Sequence, residues 1–581
     1  MKRAAVLVLM ALLTASATAL ENAAPRSTIR VEVWTLWRDK EATITPVSRA
    51  TLRLCESCIV LPLEAIALRV HDAGLTWIDE SGRAHSATVL LLAGNYRIAA
   101  HGQSLTLAYS LRITARAGRL VMVASLPVER YVELVVAAES GAADSPESRK
   151  ALAVAARSFA LAPAHGHTAF DVCDSTHCQW VHWRATPEAH EATLATAGES
   201  LWRNGSRAEA YFHQNCGGRT ASAEEVWPGG GASSHAARGS LVSRTDPYCQ
   251  RVGSSEWTAT LTRAELTQAL AAAGLAAPGW ENLNVVQRGD SGRATMLLVG
   301  STKIPAEDFR LAVGRALGWN RIRSNWFEIA AQGDSYLFHG RGSGHGVGLC
   351  QAGAAEMARE GRGYHEILTQ YFPGTTVADE ATGAAWETLA GQDFTLKTSE
   401  AADAAYVPDL ARALAEAENR SGLAPRGAIA VRTYHSTPAF RDATLAPGWV
   451  AAFTEGDLIA LQPLRILAAR KLLASVARHE FLHALVEEQA TVHTPLWLRE
   501  GLVEAWSLST PSDAARQWPR PTLTPEQIND KLARAANEAE SEAAHRAAGW
   551  YARQLLERYG RAQVLEWLRD GVPENALTAL R

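Results

Sequence analysis

The sequence predicts an α+β protein of more than one domain, with a β-rich N-terminal part leading into a mixed segment and a second, separate α+β domain after it. Three observations carry this. With 581 residues the chain is long enough for two to four domains of about 100–200 residues each. Over residues 28–120, short alternating or apolar runs such as Ile29-Arg30-Val31-Glu32-Val33 are broken by Gly, Asp and Asn turns, which is the period of strands. From Leu126 the period becomes helical, and beyond an aperiodic stretch rich in Ala, Thr, Glu and Gly at 379–391 the strand and helix signals begin afresh.

Composition narrows the function. Charged residues make up 20% against 47% hydrophobic, an ordinary globular balance rather than a disordered one. A formal net charge of -4 and a pI near 6.5 give no electrostatic ground for nucleic acid or an anionic membrane as partner. Lys2 and Arg3 precede an apolar run from Ala4 to Leu13, and Ala17-Thr18-Ala19 has the small–x–small spacing of a cleavage site. Residues 1–19 therefore read as a signal peptide, and the mature protein as exported to the periplasm or cell envelope. The run is too short to span a bilayer, which takes about 20 apolar residues, and no later stretch qualifies.

Within the β-rich part, Cys55-Glu56-Ser57-Cys58 lacks a βαβ setting, which favours a structural or local disulfide over metal or redox chemistry. Next, Val128, Tyr131, Val132, Val135 and Val136 recur at helical steps up to Glu139. Ser145 suits an N-cap and Pro146 the first position of a second helix through Leu152, Ala156 and Phe159, so Glu139 stands at the turn between two helices. His167, Cys173, His177 and Cys178 offer two thiolates and two imidazoles within a dozen residues. They suit either a closed tetrahedral zinc site or a Cys173–Cys178 disulfide, which export permits. In the second domain, strands are expected at 394–396 and 428–431, a helix at 407–418, a hairpin of 449–453 with 458–461, a helix at 466–487, and a mostly helical tail from Pro525.

That helix carries Arg478-His-Glu-Phe-Leu-His483, an HExxH motif whose spacing puts His479 and His483 on one face, one turn apart. Trp497-Leu-Arg-Glu-Gly501 follows, placing Glu500 seventeen residues after His483.

Three segments resemble the SpoIID/LytB family, the stage II sporulation protein D type. They are Tyr131-Val-Glu-Leu-Val-Val-Ala-Ala-Glu139 with Ala155-Ala-Arg-Ser-Phe-Ala-Leu161; Phe170-Asp-Val-Cys-Asp-Ser-Thr-His-Cys-Gln179; and Gly342-Ser-Gly-His-Gly-Val-Gly-Leu-Cys-Gln351 followed by Tyr371-Phe-Pro-Gly-Thr375. Tyr211-Phe-His-Gln-Asn-Cys-Gly-Gly-Arg-Thr220 fits a fourth segment, and the resemblance spans 95–378. It implies a lytic transglycosylase that cuts peptidoglycan glycan strands with Glu139 as its one acid, and it places Arg157, His345 and Gln351 against the substrate. Such an acid protonates the glycosidic oxygen and then, as carboxylate, takes the proton of the sugar's own 6-hydroxyl to close an anhydro ring; ordinary glycoside hydrolysis instead uses two carboxylates and water. The Gly-rich segment at His345 lacks the Lys-Ser/Thr ending of a phosphate loop. It reads as a close backbone approach to a sugar chain or as a tight core turn. The family's other branch enhances an N-acetylmuramoyl-L-alanine amidase instead of cutting glycan. The resemblance also favours a Cys216–Cys249 disulfide, leaving Cys350 an unpaired buried thiol.

Residues 392–581 resemble the gluzincin, peptidase MA-like families. This implies a zincin-like α+β metallopeptidase domain in which His479, His483 and Glu500 hold Zn2+ and Glu480 is the general base for attack on a peptide carbonyl. Glu504 is a further partner or an alternative ligand, Tyr551 and His545 are candidates to stabilise the oxyanion, and 458–461 is the strand expected to edge the cleft. The expectation is an exported peptidoglycan-remodelling protein, a glycan-acting domain fused to a zinc peptidase with a peptide or protein substrate. The alternative is a wall-binding amidase enhancer joined to an independent protein-processing peptidase.

Overall fold

Alternation of buried and exposed side chains builds one large sheet from the first hundred residues. In Glu41–Arg53, Ala42, Ile44, Ala50 and Leu52 turn inward while their neighbours face solvent. The computed structural model describes residues 28–578 apart from 73, 80, 142–143, 163–166, 229–238, 254, 277–278, 447–449, 508–519 and 535–537. The signal peptide expected at 1–19 and the start of the expected hairpin at Trp449 lie outside the described residues. The chain divides into two compact units, one running through Gly383 and the other from Ala384.

In the first unit, the main path of the sheet runs from Val172–Cys173 through Thr28–Val33, Arg119–Pro127, Ser110–Arg116, Val89–Ala100, Glu41–Arg53, Ile66–His71 and Gly74–Ile78 to Ala84–Ala87. Its neighbours are antiparallel except at the first pair, where Val31 and Glu32 run parallel to Val172 and Cys173. Ile44, Leu68, Leu90, Tyr96, Ile98, Ile113 and Met122 form its core. The β-rich part thus extends to Pro127, past the expected 120, and is no separate domain. Strand Arg119–Pro127 passes directly into helix Val128–Glu139, which buries Val128, Tyr131, Val132, Leu134, Val135 and Val136. Helix Pro146–Ala160 opens as the sequence predicts, with the Ser145 hydroxyl accepting the Ser148 N–H and Pro146 in the first turn.

Three smaller three-stranded sheets follow. Thr376–Asp379 pairs antiparallel with Glu199–Arg203 and closes the unit. Glu256–Thr262, Ser335–Arg341 and Phe327–Gln332 form the second, and Leu283–Arg288, Ala294–Val299 and Thr302–Pro305 the third. Trp257, Leu261, Leu297, Phe309, Phe327 and Phe338 share one core there.

The second unit is α+β. Its sheet runs Glu387–Ala390, Phe394–Thr398, Ile429–Thr433, Leu458–Leu461, Ala452–Glu455, with the three central strands parallel and both outer ones antiparallel. The linker expected at 379–391 is therefore shorter than its composition suggests, since Asp379 ends a strand of the first unit and 387–390 is a strand of the second. The helix expected at 466–487 is two, Leu464–Ala469 and Leu473–Glu487, parted where Lys471 takes a φ of 58° that no helix continues through. Helices Val407–Ser421, Leu496–Ser507, Pro525–Arg534 and Glu538–Asp570, the last broken in two by a kink at Gly560, complete the unit around Phe394, Leu414, Phe481, Leu485, Trp497, Leu502 and Leu555. Among the described residues no helix is long and apolar enough to cross a membrane.

Candidate active sites

Glu139 is the last residue of its helix, and its carboxyl enters a cleft of about 770 Å³. Its Oε1 accepts the Trp180 N–H at 3.2 Å. Burial pushes its pKa up to about 7, with that one amide opposing. A carboxylate at a helix C-terminus is also disfavoured by the helix dipole, in the same direction. Gln351, which begins helix Gln351–Arg359, donates from Nε2 to the Glu139 carbonyl at 3.0 Å and so fixes the helix end that carries the acid. Asp144 also lines the cleft, with Oδ2 taken by the Gly141 N–H at 2.7 Å.

Other lining groups escape sequence reasoning. Trp180 and Trp319 are 50% and 37% exposed on the cleft wall, an unusual state for so large an apolar ring and one suited to stacking on sugar faces. Arg310, Arg323, Tyr211 and His213 line the same cleft. His345 lines it too, with Nδ1 accepting the Val347 N–H at 3.0 Å and its ring packed on Trp227 and His213. Burial lowers its pKa to about 4, so the ring is neutral.

Arg157 is not a substrate contact. Its guanidinium is fully buried and makes a bidentate pair with Glu129, Nε to Oε1 at 2.8 Å and Nη2 to Oε2 at 2.5 Å, while Nη1 donates to the Glu199 carbonyl at 2.9 Å. It ties helices Val128–Glu139 and Pro146–Ala160 to strand Glu199–Arg203.

The Cys/His segment folds into a cluster beside the cleft. Cys173 Sγ lies 2.9 Å from Cys178 Sγ and 3.7 Å from His177 Nδ1, and His167 Nε2 lies 3.4 Å from Cys178 Sγ. The Cys178 hydrogen bond chiefly, with His177 beside it, lowers the Cys173 thiol pKa. All four donors converge, and the two cysteines are not bonded. Two thiols and two imidazoles in this arrangement are a donor set that fits zinc. Cys178 and Gln179 lead straight to Trp180, so whatever closes this cluster also positions the amide on Glu139. Elsewhere Cys55 and Cys58 form the expected disulfide. The Cys216–Cys249 bridge does not form; both are free and buried, as is Cys350.

In the second unit, His479 and His483 project from helix Leu473–Glu487 with their Nε2 atoms 3.2 Å apart. His479 Nδ1 faces Ser507 Oγ at 3.0 Å, a contact that orients the ring. Glu500, from helix Leu496–Ser507, brings Oε2 to 3.8 Å from His483 Nε2. Burial alone would raise the Glu500 pKa, but His483 and His545 outweigh it and hold the carboxylate down to about 2. Burial keeps His479 neutral, its pKa pushed to about 3. Two imidazoles and a carboxylate are donor types that zinc takes, but here they approach in pairs through His483, and the three do not all lie within 4.8 Å of one another. Glu480 is buried, and its Oε2 accepts the Thr454 hydroxyl at 2.6 Å. Thr454 belongs to Ala452–Glu455, which is the outer strand; Leu458–Leu461 is interior, so the cleft edge is one strand further out than expected. Glu504, four residues beyond Glu500 on the same helix, is half-buried, and desolvation raises its pKa. Neither oxyanion candidate is free for that role: Tyr551 OH donates to the Leu523 carbonyl at 3.2 Å, and His545 Nε2 is taken by Glu500 at 3.4 Å.

Comparison with known proteins places these geometries in context. A family model described as stage II sporulation protein matches residues 116–202, and a domain of unknown function (DUF8618) matches 246–348, both within the first unit. The stage II sporulation protein D of Bacillus subtilis is 30% identical over 278 residues, covering 44% of this chain and 76% of that protein. An uncharacterised protein of Brachyspira hyodysenteriae is 31% identical over 272 residues, 45% of this chain and 69% of that protein. The amidase enhancer of Bacillus subtilis is 24% identical over 296 residues, 42% of this chain and 39% of that protein.

Proposed function

The chain belongs to the stage II sporulation protein D family, and from that premise we propose that it is an exported peptidoglycan-remodelling protein, a lytic transglycosylase fused to a zinc-dependent peptidase. The observation that carries the first half is the Glu139 carboxyl, its pKa pushed up to about 7, set in a cleft walled by exposed Trp180 and Trp319. Near neutrality the protonated Glu139 donates to the glycosidic oxygen, the leaving sugar departs, and the carboxylate so formed takes the proton of the 6-hydroxyl as that oxygen closes on the anomeric carbon. The acid returns to its starting state and no water is consumed. Digesting purified peptidoglycan with the wild type should yield anhydro-muramyl ends, and Glu139→Gln should yield none. A Glu139→Gln protein producing them at the wild-type rate defeats the assignment.

For the second half, His479, His483 and Glu500 would hold the zinc, which when bound supplies Lewis acidity toward a peptide carbonyl. Glu480, oriented by Thr454, takes the proton of the attacking water and passes it to the leaving amine. The antiparallel outer strand Ala452–Glu455 offers an extended peptide its free edge. Glu480→Gln should keep the metal and lose hydrolysis, whereas His483→Ala should lose both.

A second reading rests on the similarity to the amidase enhancer. In it the first unit grips glycan and stimulates an N-acetylmuramoyl-L-alanine amidase, and Glu139 transfers no proton. Intact glycan after digestion, with faster release of stem peptides when such an amidase is added, selects this reading.

A further inference from the structure

In the interior of the first unit, close in sequence to the cleft residues Gln214 and Gln351, three cysteines and an aspartate meet. Cys216, Cys249, Cys350 and Asp246 are each no more than 2% exposed, and one donor atom from each lies within 4.8 Å of all the others. The four come from three separate pieces of chain. Cys216 follows the short strand Phe212–His213, Asp246 and Cys249 bracket the first turn of helix Pro247–Arg251, and Cys350 precedes helix Gln351–Arg359. We propose that these four side chains form a structural metal site, closed and solvent-free, whose occupant is zinc.

Three features favour a metal over a disulfide. The sulfurs are already treated as anions by the backbone: Cys350 Sγ accepts the Cys216 N–H at 3.2 Å and the Gly353 N–H at 3.4 Å. Amide donors aimed at sulfur are the partners of ligating thiolates. Asp246 is pre-oriented, with Oδ1 held by the Tyr248 and Cys249 amides at 3.1 and 3.0 Å, and Oδ2 facing Cys216 Sγ at 3.2 Å and the Tyr371 hydroxyl at 2.9 Å. The third feature is a neighbouring charge. Arg293 is 1% exposed, donates to the carbonyls of Cys216 at 2.7 Å and Arg219 at 2.9 Å, and leaves its Nε without a partner. Glu225 acts on it through space, but among the described residues no ion pair to Arg293 is formed. A buried cation needs a counter-charge. A disulfide between any two of the cysteines is neutral and supplies none, while three thiolates and a carboxylate around one divalent ion carry a net negative charge beside the guanidinium.

Binding is balanced by protons: the three thiols release theirs to solvent as the ion enters. Zinc suits the set because it is redox-silent, tolerates thiolate-rich tetrahedra, and needs no open position in a structural site. Its consequence for the cleft is direct, because Gln214 and Gln351 are chain neighbours of Cys216 and Cys350 and both line the cleft. The ion would pin the segment that holds the Glu139 carbonyl.

The test counts metal in the full-length chain loaded with Zn2+ under reducing conditions and desalted. Cys249→Ser and Cys350→Ser should each bind one equivalent fewer than wild type while keeping their far-ultraviolet circular dichroism. The full chain carrying C173S, C178S, H479A and H483A, which removes the other two donor sets, should still bind one. Peptide mapping of wild type without reductant, which needs no variant, should find all three cysteines as thiols. A Cys216–Cys249 or Cys216–Cys350 disulfide in the purified protein overturns the proposal. So does an unchanged zinc count in both folded single variants, or three free thiols with no zinc beyond the other two sites.

Discussion

The burial that keeps a proton on Glu139 up to about neutral pH also makes this carboxyl a burden on stability. Its folded pKa of about 7 lies above the unfolded value of 4.5, so the native state binds more protons than the unfolded chain between those pH values. Stability from this group is present at low pH and is lost as pH rises through about 7. At about 1.4 kcal/mol per pKa unit the cost at pH 8 is on the order of 3 kcal/mol. Glu139→Gln, which resembles the protonated acid at every pH, should therefore match wild type near pH 4 and exceed it in urea midpoint at pH 8. Equal midpoints at pH 8 would mean that the carboxyl is not desolvated. Arg157 carries the opposite lesson. Removing one partner of its buried pair with Glu129 should cost about 3–5 kcal/mol. Arg157→Met should lower the urea midpoint accordingly, and adding Glu129→Gln should restore part of it. The sequence singled out Glu139, which the structure places in a cleft, but misread Arg157, since arginine is mostly exposed and nothing local announces an ion pair to a residue 28 positions away.

Elements were legible where a period or a cap marks them. Ser145-Pro146 announced its helix because the cap is local chemistry, and HExxH announced the pairing of its histidines because helical spacing alone puts His479 beside His483. The break inside 464–487 was not legible, because Ala468-Ala-Arg-Lys-Leu-Leu473 contains only helix formers. Tertiary packing decides it, turning the chain at Lys471 into the left-handed region at φ 58°. An L residue there costs about 1–2 kcal/mol relative to the right-handed conformation, and glycine relieves this at the expense of some unfolded-state entropy. Lys471→Gly should therefore raise stability by about 0.5–1 kcal/mol in urea titration, whereas a continuous helix through this point would make the same substitution destabilising. The outer strand was misplaced for a related reason. Periodicity identifies 449–453 and 458–461 as a hairpin, its first strand in fact running Ala452–Glu455, but does not say which member joins Ile429–Thr433, and it is the pairing of Ala430 with Leu458 that puts Thr454 on the rim beside Glu480.

At the scale of the whole molecule, the boundary between the two units is where composition misleads most. Residues 379–391 look like a linker because Ala, Thr, Glu and Gly give no period, and a four-residue strand is too short to show one. Yet Glu387–Ala390 pairs antiparallel with Phe394–Thr398, Leu389 opposite Leu396, and the Gly391 N–H closes the turn on the Phe394 carbonyl at 2.9 Å. A side chain at 391 would strike the Phe394 ring, so this turn requires glycine. Cutting at 392 would strip that strand and leave Phe394–Thr398 as a bare apolar edge, a template for pairing with other chains. A piece spanning 384–581 should stay monomeric, bind one zinc through His479, His483 and Glu500, and cleave peptides without the first unit. The piece spanning 392–581 should melt several degrees lower and associate on concentration, although it keeps every proposed ligand. Light scattering and thermal melts of the two pieces decide the matter. Equal melting temperatures and equal monodispersity would mean that 387–390 contributes nothing to the fold and that the composition-based linker was the better boundary.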